Sequence, residues 1–212
     1  NTNLPLGIIE DRPSLNWRGM HLDCARQFYT IDEIKRLMNY MCFFKLNRFH
    51  WHLTDNEAWR VELDCYPNLT KVGAFRGYDH TIPPFYGTGY NKTGGYYSRS
   101  QINELIEYAR QRNIEIMPEI DLPAHSWTLL QVMPKLRDSS SNIISEDVGN
   151  YTDNTINPAV EETNIFLQNI LEELSEIFSF NIIHVGVDER PKESWEGSPK
   201  VIEYMKKNNI ES

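Results

Sequence analysis

The sequence predicts an α/β fold organised around a parallel sheet. Short apolar runs alternate four times with stretches of helical periodicity, the pattern that βα units give. Each run also keeps its ionisable residues on one parity and its aliphatic residues on the other, as a strand with one helix-covered face requires. The 212 residues are 40% hydrophobic and 24% charged, which suits one domain with a substantial core and excludes a disordered, collagen-like or coiled-coil chain.

The first run is Arg18-Gly-Met-His-Leu-Asp23. A helix follows from Thr30, whose hydroxyl caps the first turn while Glu33 reaches back, and Ile34, Leu37, Met38 and Met41 form its buried stripe. The second run covers residues 47–53, where Phe49, Trp51 and Leu53 alternate with His50 and His52. The connection from 54 to 97 is rich in Gly, Pro, Tyr and Asn, and connections that long inside a compact domain usually carry function. A helix is predicted over 99–112 with Ile102, Leu105, Ile106 and Ala109 inward, then a third strand over 114–120. A second long connection, 121–155, has a polar tip at 139–142 that is expected to be mobile. Asn157-Pro158 reads as the cap and first position of a helix whose apolar face is Leu167, Ile170, Leu171, Leu174 and Phe178. The fourth strand is expected over 181–187 and a last helix near 198–207. Four such strands fit an open sheet or half of an eight-stranded barrel. Half a barrel leaves strand edges and an inner face bare, so a missing C-terminal half or a second copy is expected to cover them.

Parity places His21 with Asp23, His50 with His52, Glu119 with Asp121, and His184 with Gly186 and Asp188. One buried acid or imidazole is more often structural than catalytic. Four strands bringing such groups to their carboxyl ends favours a site, because burying them is costly unless they are paired or used. The sharpest pair is Asp188-Glu189, just past the fourth strand. Proximity and burial are expected to push at least one of the two upward, so that one carboxyl donates a proton while its neighbour stays ionised, a division of labour suited to glycoside cleavage.

Other classes fit less well. A net charge of −9 without a basic stripe argues against nucleic acid, and no apolar run approaches the roughly 20 residues of a membrane span. Residues 1–10 lack the basic start and apolar stretch of a signal peptide. Cys24, Cys42 and Cys65 suit neither a disulfide scaffold nor a zinc motif. Sequons at Asn68, Asn91 and Asn150 are weak support for secretion. Alternate histidines on a strand leave a second reading, a metal-dependent hydrolase using His50 and His52 with His184 and Asp188. A third is an inactive or sugar-binding remnant.

Several stretches, in order along nearly the whole chain, carry a resemblance. They are Arg18-Gly-Met-His-Leu-Asp-Cys-Ala-Arg26, His50-Trp-His-Leu-Thr-Asp-Asn-Glu-Ala-Trp-Arg60, Gly94-Gly-Tyr-Tyr97, Pro118-Glu-Ile-Asp-Leu-Pro-Ala-His-Ser126, Ile156-Asn-Pro158, His184-Val-Gly-Val-Asp-Glu189 and Trp195-Glu-Gly-Ser-Pro199. Together they resemble family 20 glycoside hydrolases, the β-N-acetylhexosaminidases. The resemblance implies the N-terminal half of a TIM-type (β/α)8 barrel, with residues 1–212 as one partial catalytic domain. It implies hydrolysis of terminal β-linked N-acetylhexosamine with retention, the substrate's own acetamido oxygen attacking in place of an enzyme carboxylate. A positioned intramolecular nucleophile of that kind has an effective molarity on the order of 10⁵ M or more. By the same resemblance Glu189 is the general acid/base, Asp188 orients the acetamido group, and Asp55 with His125 supports the acid. Arg26 grips sugar hydroxyls, Asp121 supports the carboxylates, and Glu119 and Trp195 join the substrate-binding candidates. No metal or other cofactor is implied, and the family habit points to an extracytoplasmic home, secreted, periplasmic or lysosomal. Val187 and Ala124 stand where the family usually has Gly, and the Trp and Tyr walls of the family's later half are not in this stretch.

Overall fold

The computed structural model describes residues 6–8, 10–141 and 151–210. Asn142 of the expected polar tip, the Asn150 sequon and part of the N-terminal stretch lie outside the described residues. Four parallel strands form the sheet in the order β1 (Gly19–Asp23), β2 (Arg48–Asp55), β6 (Glu115–Leu122) and β7 (His184–Gly186). Short strands β3 (Ala58–Trp59), antiparallel to β2, and a ribbon of β4 (Phe75–Arg76) with β5 (Thr93–Gly94) lie within the first long connection. That connection therefore has a framework of its own, including helix α2 (Asn68–Gly73).

The first helix, α1 (Ile31–Phe43), starts where the capping box predicts: Thr30 Oγ1 accepts from Glu33 N–H, and the Glu33 carboxylate accepts from Thr30 N–H. Ser98 and Gln101 repeat the device ahead of α3 (Arg99–Arg110). Their apolar faces, Ile34, Met38 and Met41 on one and Ile102, Leu105 and Ala109 on the other, join Phe49, Trp51 and Leu53 of β2 in a single core. Each such side chain contributes roughly 1.5–3 kcal/mol on burial. The glycine pair after β4 has a steric reason. A Cβ on Gly94 would lie 2.2 Å from Ala74 O, and one on Gly95 would lie 2.6 Å from the Phe28 ring.

Later elements depart from the sequence reading. The third strand runs two residues further than expected, carrying Asp121 and Leu122 inside it. Short helix α4 (Trp127–Val132) follows in the second connection. Helix α5 (Glu161–Ile177) begins after Val160, not at Asn157-Pro158. Asn157 is buried and bonded elsewhere: its Oδ1 accepts from Ala159 N–H and its Nδ2 donates to Ser198 Oγ, which makes a turn ahead of the helix. The buried face of α5 includes Phe166 and Ile177, while Leu171 is exposed. The fourth strand is only three residues long. It is followed by α6 (Glu193–Glu196) and by α7 (Pro199–Asn208), capped by Ser198.

Candidate active site

The tips of β1, β2, β6 and β7 supply the site, and Asp55, the last residue of β2, is its hub. Asp55 Oδ1 faces His125 Nδ1 at 3.1 Å, and Oδ2 meets His52 Nε2 at 2.9 Å and Arg26 Nη1 at 2.8 Å. These cations hold its carboxyl well below the ordinary range despite burial. Arg26, in the loop after β1, is clamped by three acids: Asp23 at 3.0 Å, Asp55, and Glu57, whose Oε2 lies 3.0 Å from Arg26 Nε. The guanidinium stays charged although the site is partly desolvated. Behind it, buried Arg60 donates to the carbonyls of Cys24, Ala25, Ala74 and Gly95 and so fixes the backbone leading to Arg26.

His125 follows β6 in a left-handed conformation, φ 52°. Its Nε2 lies 3.3 Å from Glu189 Oε2 and 3.8 Å from Asp188 Oδ2. Asp55, with Asp121 and Asp188 adding negative charge, pushes the imidazole up to about 9, against the opposing effect of burial. It is therefore an imidazolium that faces the acid pair. Asp188 and Glu189 are exposed, at 58% and 56%, so the expectation that burial acts on this pair does not hold. β7 is an outer strand of the sheet, and its exit is open to solvent. The acid that burial does act on is Asp121, pushed up to about 8 by desolvation and by the charge of Asp188. Asp121, His125 and Asp188 bring polar atoms within 4.8 Å of one another. The closeness is allowed by Gly186, since a Cβ there would stand 1.8 Å from Asp121 Oδ1.

Two sequence-based assignments change. Glu119 does not stand at a sugar-facing mouth. It is buried behind the site, its Oε2 2.6 Å from His52 Nδ1 and 2.8 Å from His50 Nε2, and its Oε1 2.9 Å from His184 Nδ1. Trp195 is an anchor for α6: its indole N–H donates to Ile156 O, with the Arg190 guanidinium over the ring. The four residues of the metal set do not come together as one group: His50 and His184 meet at Glu119 with ligand atoms within 4.8 Å of one another, both His52 nitrogens are engaged by carboxylates, and Asp188 sits with Asp121 and His125.

Sequence reasoning missed Glu57 and its tyrosines. Tyr86 OH and Tyr151 OH, one from each long connection, both donate to Glu57 Oε1, so the acid that holds Arg26 is itself held by both loops. Phe85, Trp127 and Tyr151 form an aromatic cluster alongside, with ring centroids 5.2–5.9 Å apart. The available signal was the abundance of Tyr in the long connections, which names no partner.

Residues 15–212 match the family model described as glycosyl hydrolase family 20, catalytic domain. The chain belongs to this family. It is 42% identical over 201 residues to a β-hexosaminidase of Vibrio furnissii, covering 94% of this chain and 33% of that protein. It is 35% identical to a chitooligosaccharidolytic β-N-acetylglucosaminidase of Bombyx mori, covering 94% and 31%. Among solved structures, the family 20 exo-β-N-acetylglucosaminidase of Vibrio harveyi in complex with N-acetylglucosamine superposes with a TM-score of 0.91 at 40% identity, over 95% of this chain and 32% of that one. The chain spans a quarter to a third of the length of such relatives. Its α/β fold with a parallel sheet is part of the family 20 barrel.

Proposed function

We propose that this chain carries the proton-donating half of a site that hydrolyses terminal β-linked N-acetylhexosamine with retention. The observation that carries the reading is the His125 imidazole held between Asp55 and the Asp188–Glu189 pair at the strand tips of a family 20 chain. Glu189 gives its proton to the glycosidic oxygen as that bond breaks. The substrate's acetamido carbonyl oxygen attacks the anomeric carbon from the other face and closes an oxazolinium ring. Asp188 accepts the acetamido N–H and offsets the positive charge that develops there. Asp121, protonated at neutral pH, donates to Asp188 and fixes its orientation. The Glu189 carboxylate then takes a proton from the water that opens the ring, so the second inversion restores the starting configuration. Arg26, braced by three carboxylates, presents its guanidinium to sugar hydroxyls.

Glu189→Gln in the native full-length protein tests this directly. The variant keeps its shape and loses its proton, so kcat/KM on an aryl N-acetyl-β-glucosaminide should fall by roughly 10²–10⁴. Full activity would remove Glu189 from the role.

The exposure of Asp188 and Glu189 favours a second reading for residues 1–212 taken alone, as an inactive or sugar-binding unit. The pocket is then completed by further chain or a second copy against β1 and β7. Assay of the 212 residues beside the longer protein separates the two readings: comparable turnover from both refutes the second. An extracytoplasmic home is part of the proposal, supported by the exposed sequon residues Asn68 and Asn91.

A further inference from the structure

The contacts behind Glu189 do not stop at Asp55. Four consecutive contacts run inward from the acid: Glu189 Oε2 to His125 Nε2 at 3.3 Å, His125 Nδ1 to Asp55 Oδ1 at 3.1 Å, Asp55 Oδ2 to His52 Nε2 at 2.9 Å, and His52 Nδ1 to Glu119 Oε2 at 2.6 Å. The members alternate carboxylate and imidazole. His52, Asp55, Glu119 and His125 are each at most 6% exposed. We propose that Glu119 and His52 are positioning residues for proton transfer at Glu189, acting through Asp55 on the charge and orientation of the imidazole that faces the acid.

The argument begins with lone pairs. A neutral imidazole has one N–H and one lone pair, whereas both nitrogens of His52 point at carboxylate oxygens. Only the doubly protonated ring satisfies both contacts, so Glu119 and Asp55 together hold His52 as a cation. That cation then acts on Asp55. One carboxylate is shared between two imidazoliums and Arg26, and each draws charge from the hold on the others. With His52 charged, Asp55 grips the His125 proton less tightly. With His52 neutral, the full Asp55 charge falls on the His125 imidazolium and offsets more of the positive charge it presents to Glu189. Glu119 is the group that keeps His52 charged, and it is buttressed by His50 at 2.8 Å, His184 at 2.9 Å and, more loosely, His21 at 3.6 Å. The remaining charges around the chain are Asp121 and Asp188 beside His125, and Asp23 and Glu57 around Arg26.

This inference rests on the glycosidase reading, and the test keeps the two separable. The native full-length protein is prepared with Glu119→Gln, which retains an oxygen acceptor for His52 and removes the charge. His52→Gln is the second variant. His50→Gln is the comparator, since it removes a contact to the same carboxylate outside the chain of four. Glu119→Gln and His52→Gln should each lower kcat about tenfold or more, a share of the roughly 10²–10⁴ that a positioned acid supplies. KM should stay within about twofold, and the alkaline limb of kcat/KM should move up by about one pH unit as the positive charge facing the acid weakens. His50→Gln should lower thermal stability and leave the limb in place. An unmoved limb in a folded Glu119→Gln or His52→Gln variant, or an equal move in His50→Gln, overturns the proposal. If neither chain variant folds, NMR titration of histidine-labelled native protein decides: His52 charged above pH 8 supports the proposal, and titration near 6.5 overturns it. Should Glu189→Gln retain full activity, the glycosidase reading fails first; an inactive Glu189→Gln with unmoved limbs in the other variants defeats this inference alone.

Discussion

Two neighbouring residues at the exit of β7, Gly186 and Val187, both stand in the left-handed region of the backbone. Gly186 has φ +66°, and a Cβ there would overlap Asp121 Oδ1 and crowd Asp188 Oδ1 at 3.1 Å. Gly186→Ala should therefore displace the Asp121–Asp188 pair. Misplacement of about 1 Å can cost on the order of 10²-fold in rate, and that loss in kcat with the fold intact by circular dichroism is the expected result. An unchanged kcat would mean the two acids do not act together. Val187 sits at φ +74°, a region that costs an L-residue about 1–2 kcal/mol and a β-branched one no less. Its side chain is 65% exposed and contributes little packing in return. Val187→Gly removes that strain, offset by about 0.5–1 kcal/mol of added unfolded-state freedom. The variant should be neutral to about 1 kcal/mol more stable in urea unfolding, with activity retained. Destabilisation beyond about 1 kcal/mol would show that the valine is packed in the native chain.

Among the elements, the loop after β1 depends most on a remote residue. Arg60, just past β3, is 1% exposed and satisfies four carbonyls from three separate segments. Arg60→Met fills similar space but takes the guanidinium away from the carbonyls of Cys24, Ala25 and Gly95, while Ala74 O keeps the Gly95 N–H, at about 1–3 kcal/mol for each one left unsatisfied. Thermal unfolding should show a loss of about 3 kcal/mol or more, with a raised KM as Arg26 loses its backbone support. A loss under about 1 kcal/mol would make Arg60 incidental. Wherever local signals dominate, the elements were legible in the sequence. The Thr30–Glu33 box starts α1, the helical stripe of α3 marks its buried side, and strand parity separates the His50–His52 side of β2 from the Phe49–Trp51–Leu53 side. Legibility failed where tertiary contacts override a local rule. Asn157 bonds to Ser198, 41 residues away, instead of capping α5. Glu119 reads as a mouth residue by parity but is captured by imidazoles from β1, β2 and β7. Glu57 is built into the site by tyrosines from two loops, a pairing that no spacing in the sequence encodes.

At the scale of the whole molecule, the buried charges make stability depend on pH with a sign that can be worked out. His52 is raised from 6.5 to about 10 by Asp55 and Glu119 acting against desolvation, and His125 to about 9 chiefly by Asp55. A raised imidazole gives its full contribution below the unfolded value of 6.5 and loses it as pH climbs through 9–10. Asp55 and Glu119 are lowered, so their contribution is present above the ordinary carboxylate values of 3.8 and 4.5 and is lost only as pH falls well below them. Asp121 acts in the other direction: it is raised from 3.8 to about 8, so it costs stability progressively as pH rises between those values. The three effects together put the maximum near pH 4.5, because Asp121 already costs stability above that and the raised imidazoles add to the fall beyond 6.5. The unfolding midpoint of the native protein, measured at constant ionic strength, should fall by several degrees from pH 6 to pH 9, at roughly 2–4 °C per kcal/mol for a domain of this size. In His52→Gln the alkaline part of that fall should shrink, because the largest raised imidazole is gone. A midpoint that is flat or rising through pH 9 would mean that the imidazoles are neutral in the folded protein. The alternating charges behind Glu189 would then not exist as described.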